Sequence, residues 1–175
     1  MAEFQVYNPH TKVKGQVMLD NIRAIGRRAQ PIVAKYGADK LDPNEWYPQQ
    51  TWLDILRELS HDGVLDLMAL GNRLAENFRM PDGEYSVPKL LNYMDEDYQK
   101  SHRNVGPVHF TIEVLGPRAV RIIDNSPYPD DLQFGLIFGL LDRLMPLDAN
   151  LKVRYDRSLP CRSNGADETA YVVTW

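Results

Sequence analysis

The sequence predicts an α+β fold in which N-terminal helices pack on a four-stranded antiparallel sheet with ββαββ order. Apolar and polar residues alternate over 108–114 and 120–122, and the same period of two returns over 151–155 and 170–174. This alternation is typical of strands that bury one face. An apolar helical stretch, 132–145, separates the two pairs of strands. Four helical patterns precede them, so the chain divides into a helical half and a sheet half.

The four N-terminal helices are expected over 15–36, 48–61, 64–78 and 86–102. Apolar residues recur in them at helical spacing, although the first pattern is imperfect. A proline inside a helix removes a hydrogen bond and clashes with the preceding turn. We therefore expect a kink or break near Pro31.

Local signals mark the ends of the third and fourth helices. The turn sequence at 80–83 stops the third helix. Ser86 is a suitable N-cap for the fourth, and Pro88 falls in its first turn,. This helix is expected to end near His102 and Arg103, where cations suit the negative end of the helix dipole.

Length and composition indicate one globular domain. The chain has 175 residues, of which 43% are hydrophobic and 25% charged, enough to bury a core without disulfides or a structural metal. We expect an extended leader over 1–14 and a single small-molecule-binding domain over 15–175. Its helical half is 15–105 and its ββαββ half is 106–175.

Charge, cysteine content and hydropathy exclude several classes of protein. A net charge of −4 argues against nucleic acid as a partner, because phosphate binding needs a clustered basic surface. A single cysteine forms no intrachain disulfide and suggests a reducing compartment. No run approaches the roughly 18 apolar residues of a membrane span. The expected location is the cytoplasm.

The helix between the two pairs of strands carries Gly135 and Gly139 on one face. Two interpretations stay open. The glycines allow tight packing of the helix on its own sheet, or they leave room for a ligand between this helix and the helices before the sheet. In the second case the pocket would be lined by Phe134, Leu136, Phe138 and Leu140.

Aromatic residues cluster at two places, near the second helix and on the fourth. They are either core residues or the walls of a site for an apolar or planar ligand, for which aromatic faces supply a large contact area. The candidates for such a site are Trp46, Trp52 and Tyr98.

Evidence for a metal or for catalysis is weak in the sequence. The four histidines lack metal-binding spacing, so no metal site is assigned. The weak candidates are His102 and Cys161, with Asp95 or Asp97 as an oxygen ligand. The alternative is a capping histidine and a small buried thiol. Cys161 lacks the surroundings that would make it a nucleophile, and no phosphate-binding glycine loop or Gly-x-Ser-x-Gly elbow occurs.

The acidic pair Asp130-Asp131 precedes the apolar helix. General acid and base catalysis would need a second group within reach. Capping of the helix beside the positive end of its dipole is the favoured interpretation.

Three segments carry a resemblance to a known family. They are 93–103 leading into Gly106, the turn 125–129, and 161–166 before the last strand. Together with the order of the helices, they resemble the 4-vinyl-reductase-type domain. Its superfamily includes haem-dependent nitric-oxide sensors and Golgi transport-particle subunits. The resemblance implies a module for small-molecule binding or protein assembly, in some members linked to tetrapyrrole synthesis, that commonly pairs through its helices.

The chain departs from these relatives in two respects. The Tyr-x-Ser-x-Arg signature that holds the haem propionates is missing, so the resemblance disfavours haem. Several 4-vinyl-reductase-type domains have a second cysteine after the first, whereas 167–170 here contains none. A zinc site of that type is therefore doubtful, and the cofactor is left unassigned.

The sequence thus favours a non-catalytic sensor or carrier domain for an apolar or tetrapyrrole-like small molecule. A protein-assembly or adaptor module without ligand is the alternative, and a reductase acting on a vinyl tetrapyrrole is a third. We expect a homodimer paired through the 15–36 helix, and a protein partner that receives the signal.

Overall fold

The computed structural model describes residues 3–61, 63, 66–79, 86–105, 110–144 and 150–175, and it confirms the α+β class. Within this described part of the chain, the helices are α1 (Gly15–Ile25), α2 (Gln30–Lys35), α3 (Gln49–His61), α4 (Leu67–Asn77), α5 (Val87–Ser101) and α6 (Asp130–Leu144). The expectations for residues 80–83, 106–109 and 145 lie outside the described residues.

The strands form two antiparallel sheets. The larger contains β4 (Phe110–Gly116), β5 (Ala119–Asp124), β6 (Lys152–Tyr155) and β7 (Thr169–Thr174) in the order β4-β5-β7-β6. Helix α6 connects β5 to β6, which confirms the expected ββαββ order. A smaller sheet that the sequence did not suggest has the order β2-β1-β3 and consists of β1 (Lys12–Lys14), β2 (Trp46–Pro48) and β3 (His102–Arg103).

The first expected helix is broken into α1 and α2 shortly before Pro31. Gly26 has a φ of +86° and ends α1, a conformation that residues with a side chain rarely adopt. Pro31 instead lies in the first turn of α2, where its missing N–H leaves no helical hydrogen bond unmade. The expected break is therefore present just before Pro31, and it is centred on Gly26.

Side-chain caps fix the starts of α4 and α5. Asp66 accepts a hydrogen bond from the Ala69 amide, and Ser86 accepts one from the Lys89 amide. Each cap satisfies an amide that the helix itself leaves without a partner. The start of α5 agrees with the prediction. Helix α4 begins at Leu67, directly after its Asp66 cap, and the expected start at residue 64 lies outside the described residues.

Two apolar clusters form the core. One lies among α1, α2 and α3, where Met18, Trp52 and Leu56 are almost fully buried. The other lies between α5, α6 and the large sheet, and includes Leu91 and Ile137. Phe4 and Val13 are also buried, so the segment expected to be a leader contributes side chains to the first cluster.

Helices α4 and α6 touch through their backbones. A Cβ built on Gly135 would lie 2.0 Å from the Met68 carbonyl oxygen, and one built on Gly71 would lie 2.1 Å from the Leu132 carbonyl oxygen. A Cβ on Gly139 would lie 2.4 Å from Asn72 Oδ1. Glycine is required wherever two backbones approach this closely. The glycine face of α6 therefore packs on α4, and not on the sheet.

A buried charge cluster fixes the start of α6. Arg162 Nη2 donates to Asp124 Oδ2 at 2.8 Å and Arg162 Nε donates to Asp130 Oδ1 at 2.7 Å, while Arg162 Nη1 donates to the Ser126 carbonyl. The Asp130 amide donates to Glu3 Oε1 at 3.0 Å. The Asp130 carboxylate was expected to be a helix cap, but it is an ion-pair partner, and Glu3 accepts the terminal amide.

Candidate ligand-binding cavity

A cavity of about 1,010 Å³ opens between α1, α4, α5 and α6. Ligand pockets are usually of about 300–1,000 Å³, so this volume is at the upper end of the range for a small organic molecule. Each of the four helices contributes apolar side chains, and two phenylalanines outside them complete the wall. These residues are Val17, Leu74, Phe78, Met94, Phe110 and Leu136.

One part of the cavity wall is polar and buried. Tyr98, His102 and Tyr128 line it, and each is less than 10% exposed. Tyr98 of α5 and His102, the first residue of β3, stack with their ring centroids 3.9 Å apart. Tyr128, from the turn before α6, meets the His102 ring edge to face.

The hydrogen bonds in this wall fix the tautomer of His102. Its Nδ1 lies 2.9 Å from the Tyr98 carbonyl oxygen, and its Nε2 lies 2.9 Å from the Tyr128 hydroxyl. Because a carbonyl oxygen only accepts, Nδ1 carries the proton and Nε2 accepts from Tyr128. Gln49 Nε2 donates to the Tyr98 hydroxyl at 3.3 Å. Both imidazole nitrogens therefore have partners within the protein.

The same three residues are uncharged near neutral pH. Burial lowers the pKa of His102 to about 4, against the hydrogen bond to the Tyr98 carbonyl, which raises it. Burial raises the pKa of Tyr98 and of Tyr128 far above the ordinary tyrosine value, because an unpaired phenolate is disfavoured in an apolar site. His102 was expected to be a cation at the end of a helix dipole; this was wrong, because the ring is buried and neutral.

Charged residues also line the cavity, and they carry an excess of positive charge. Four are cationic and two are carboxylates, which leaves an excess of two positive charges in a protein whose net charge is −4. The exposed ion pair of Arg23 and Asp20 measures 3.3 Å. Lys100 pairs with Glu96 at 3.4 Å, outside the wall. The remaining charged wall residues are Lys14, Arg79 and Asp97.

Of the ligand-contacting residues expected from the sequence, Tyr98 lines this cavity. Trp52 is fully buried in the helical core. Trp46 lies in β2, where the Arg103 guanidinium stacks on its ring at 3.9 Å. The sequence grouped these three aromatic side chains around one ligand, and the structure puts them in three different environments.

The residues expected on α6 are divided in the same way. Gly135 and Gly139 contact α4, and Phe138 is partly buried. Phe134 lines a second, smaller cavity of about 600 Å³ beside β6, together with Tyr155 and Met68. Helix α6 contributes Leu132, Gln133 and Leu136 to the large cavity.

The two weak metal candidates make separate contacts. His102 is bonded to Tyr98 and Tyr128, whereas Cys161 Sγ lies 3.0 Å from Ser163 Oγ. Within the described residues, no group of three or more His, Cys, Asp or Glu side chains is placed to hold a metal ion. Over the same part of the chain, every helix is too short or too polar to cross a membrane.

Sequence reasoning missed several residues of the cavity. Tyr128 had been seen only as part of a turn. Gln49, which does not line the cavity but donates to the Tyr98 hydroxyl, had been seen only as part of a helix. Phe78 and Leu74 follow ordinary helical spacing, which does not separate a cavity wall from a core. The one signal that was available for Tyr128 is a large aromatic residue between two prolines, Pro127 and Pro129.

Solved structures with a similar fold include H-NOX domains, which are haem nitric oxide/oxygen binding domains. A variant of Tt H-NOX has a TM-score of 0.65 at 15% identity, with 91% of this chain and 92% of that chain covered. The K. algicida H-NOX protein in its unliganded Fe(II) form has a TM-score of 0.64 at 12% identity, with coverages of 92% and 95%. The S. oneidensis H-NOX protein in its Fe(II)NO form has a TM-score of 0.62 at 14% identity, with coverages of 91% and 97%.

No family model matches the chain, and no curated protein matches it either. At these low identities the likeness establishes the fold alone. The chain therefore has an H-NOX-like fold, which agrees with the haem-nitric-oxide part of the expected superfamily and does not single out its 4-vinyl-reductase members.

Because the fold resembles that of H-NOX domains, His102 in the cavity wall is the residue to consider as a ligand of haem iron. Iron ligation by His102 would use the Nε2 lone pair, since Nδ1 is protonated. That lone pair accepts a hydrogen bond from the Tyr128 hydroxyl, with 2.9 Å between Nε2 and the hydroxyl oxygen. Tyr128 is itself buried in the wall. The observed arrangement therefore does not fit a haem iron at His102.

Proposed function

We propose that this chain is a non-catalytic small-molecule-binding domain, a sensor or carrier for an apolar or tetrapyrrole-like ligand. The observation that carries the proposal is the cavity of about 1,010 Å³ with apolar walls contributed by four helices. The cavity is partly open to solvent, so a ligand has a path into it. Small-molecule sites are commonly clefts of about this size, lined by apolar side chains with a few polar groups.

The polar part of the wall supports binding and not chemistry. Tyr98, His102 and Tyr128 hold one another through hydrogen bonds and ring contacts. General acid or base catalysis uses a group whose pKa lies near the working pH, whereas burial lowers the pKa of His102 to about 4 and raises those of the tyrosines. These groups are suited to fixing the orientation of an uncharged part of a ligand.

The solved neighbours support a planar ligand of tetrapyrrole size. One of them is described by the phrase "Modulating Heme Redox Potential Through Protein-Induced Porphyrin Distortion", and it aligns over 93% of this chain with a TM-score of 0.66. A cavity in the same fold has room for a ring system of that class. Because His102 is committed to Tyr128, we propose a ligand that is not held through iron.

Native mass spectrometry and an absorption spectrum of freshly purified protein test the proposal. We expect a co-purifying small molecule, and for a tetrapyrrole an absorption band near that of the porphyrin. The matched variants are Leu136→Trp, which fills the cavity, and Val114→Trp, on a residue that is 74% exposed. Occupancy should fall in the first variant and stay unchanged in the second.

Two outcomes contradict the proposal. If the parent carries no small molecule and binds neither fatty acids nor porphyrins when they are added, the assembly-module alternative is favoured. If Leu136→Trp folds like the parent and keeps full occupancy, the ligand does not lie in this cavity.

We also propose that the domain pairs with a second copy of itself. Leu19 and Ile25 of α1 remain only partly buried, while Met18 and Ile22 belong to the core. These partly exposed apolar side chains offer contact area to a second copy. Sedimentation velocity at high micromolar concentration checks this, and a monomer there contradicts it.

A further inference from the structure

We infer that the outward face of the small sheet is a docking surface for an acidic segment of a partner protein. This surface, the cation face, consists of Lys12, Lys14, Trp46 and Arg103. The inference goes beyond the proposed function, because it assigns a second surface and does not require a ligand in the cavity.

The register of the small sheet places three cations side by side. Lys12 of β1 is paired with Arg103 of β3, and Lys14 of β1 is paired with Trp46 of β2. Paired residues, and residues two apart in one strand, share a face of a sheet. Neighbouring strands are about 4.8 Å apart and residues two apart in a strand about 6.8 Å, so the three Cα atoms lie within about 10 Å of one another.

The two faces of these strands have opposite surroundings. Val13 and His102 are paired on the inner face and are 0% and 5% exposed. On the cation face Lys12 and Arg103 are exposed. Strand β3 therefore presents His102 to the cavity wall and Arg103 to solvent. Lys14 also lines the cavity, so the cation face adjoins it.

Trp46 positions the guanidinium of Arg103. The guanidinium carbon lies 3.9 Å from the centroid of the Trp46 ring, although β1 separates their strands in the sheet. The Arg103 side chain therefore crosses β1 on the face that carries Lys12 and Lys14. A guanidinium stacked on an aromatic ring is attracted to its face and keeps its in-plane N–H groups available for a carboxylate.

These three cations make no ion pair within the described part of the chain. The ion pairs there are formed by other basic residues, namely Arg23, Lys35, Arg57, Lys100, Arg121 and Arg162. Glu45 precedes β2, but the alternation of side chains directs it away from the face of Trp46. Like charges directly opposite each other destabilise a sheet. An anion bound on this face would relieve the repulsion between Lys12 and Arg103.

The charge of the remaining chain favours a short acidic segment over an extended anionic surface. The protein has a net charge of −4 although this face carries three positive charges, so the rest of its surface repels a bilayer or a nucleic acid. Membrane surfaces are bound by clusters of about four to eight basic residues. Tryptophan and arginine are enriched among the residues that dominate the affinity of protein interfaces. A few carboxylates in one segment of a partner therefore match this face.

The test measures binding of labelled octaglutamate and octaglutamine peptides by fluorescence anisotropy to the full chain and to two double variants. Lys12→Gln/Arg103→Gln removes two cations of the face, and neither residue lines the cavity. Arg28→Gln/Lys40→Gln is the control, because it removes the same charge from exposed residues outside this face. Circular dichroism and thermal melting check that both variants fold like the parent.

We expect octaglutamate to bind the parent about tenfold more tightly than octaglutamine at low salt, the effect of three solvated charge contacts. The preference should shrink at physiological salt, because solvated charges are screened. The Lys12/Arg103 variant keeps one of the three cations and should show a preference of about twofold. The control variant should keep the full preference.

The inference is wrong if both peptides bind the parent equally, or if the Lys12/Arg103 variant keeps the preference. Two further measurements examine other occupants of the face. Phosphatidylserine vesicles or oligothymidylate that bind the parent more tightly than octaglutamate, and lose binding in this variant, would replace the acidic segment by a phosphate surface. Self-association that is lost in this variant would replace it by a second copy. None of these results concerns occupancy of the cavity, so the proposed function is tested separately.

Discussion

Replacing Gly135 by alanine tests how α4 and α6 are held together. The new Cβ would lie 2.0 Å from the Met68 carbonyl oxygen and 2.8 Å from the Met68 carbonyl carbon. These atoms are backbone, so they move only if the helices separate. Overpacking of a core costs roughly 1–3 kcal/mol and occasionally more, and an overlap of this depth belongs at or above the upper end of that range.

The substitution also has an opposing effect. Alanine is favoured over glycine in a helix interior by about 1 kcal/mol. We therefore expect Gly135→Ala to lower the free energy of unfolding by about 2 kcal/mol or more. For a chain of this length, that corresponds to a fall in Tm of roughly 4–8 °C.

Urea denaturation and thermal melting followed by circular dichroism measure the effect. Gly116→Ala is the matched control, because no atom lies within 4 Å of a Cβ built there, and we expect it to change stability by no more than about 0.5 kcal/mol. If Gly135→Ala is as stable as the parent but loses ligand, the glycine face borders the ligand and not α4. A variant that gains stability and keeps its ligand refutes both interpretations.

Three further predictions concern buried polar groups and the thiol. Burial lowers the pKa of His102 from 6.5 to about 4, so the unfolded chain takes up the proton at a higher pH than the folded chain. The free energy of unfolding should therefore fall by about 2 kcal/mol between pH 7 and pH 5. Urea titrations at the two pH values should show a smaller fall in His102→Gln. Arg162→Met leaves two buried carboxylates without their cation and should cost about 3–5 kcal/mol by denaturation, with Arg154→Met, on an exposed residue, nearly neutral. Cys161→Ser should keep stability within about 1.5 kcal/mol; stoichiometric zinc in the parent, lost together with folding in the variant, would contradict this.

The periodic parts of the fold were predictable from the sequence. Strand β5 alternates as the pattern requires, with Val120, Ile122 and Asp124 buried on one face. Ser86 caps α5 as expected. In these elements, local propensity and tertiary burial favour the same structure, so the pattern is a sufficient guide.

The small sheet was not predictable in this way. Its strands β1, β2 and β3 have two or three residues each, too few to establish a period. They pair residues far apart in the chain, such as Val13 with Tyr47 and with His102. Only the tertiary structure brings these segments together, and the same pairing carries His102 out of the helix and into the cavity wall.

The candidate site was only partly predictable from the sequence, because residues that line a cavity and residues that fill a core show the same helical spacing. Gly135 and Gly139 showed that a close approach would occur on α6, but a glycine does not indicate whether a backbone or a ligand fills the space. Buried charge was equally hidden. Arg162 follows the cysteine in an irregular segment, and nothing local shows that it is 3% exposed and paired with two aspartates.

The fold and the side chains of the cavity wall contribute differently to ligand binding. Solved H-NOX domains and this chain share a fold over more than nine-tenths of their lengths, and in this chain a cavity opens between α1, α4, α5 and α6. The selection of a ligand depends on individual atoms within that space. In this chain the His102 Nε2 lone pair accepts a hydrogen bond from the Tyr128 hydroxyl, and the charged part of the wall holds four cations and two carboxylates. The side chains of this wall, and not the fold, therefore decide which ligand the cavity accepts.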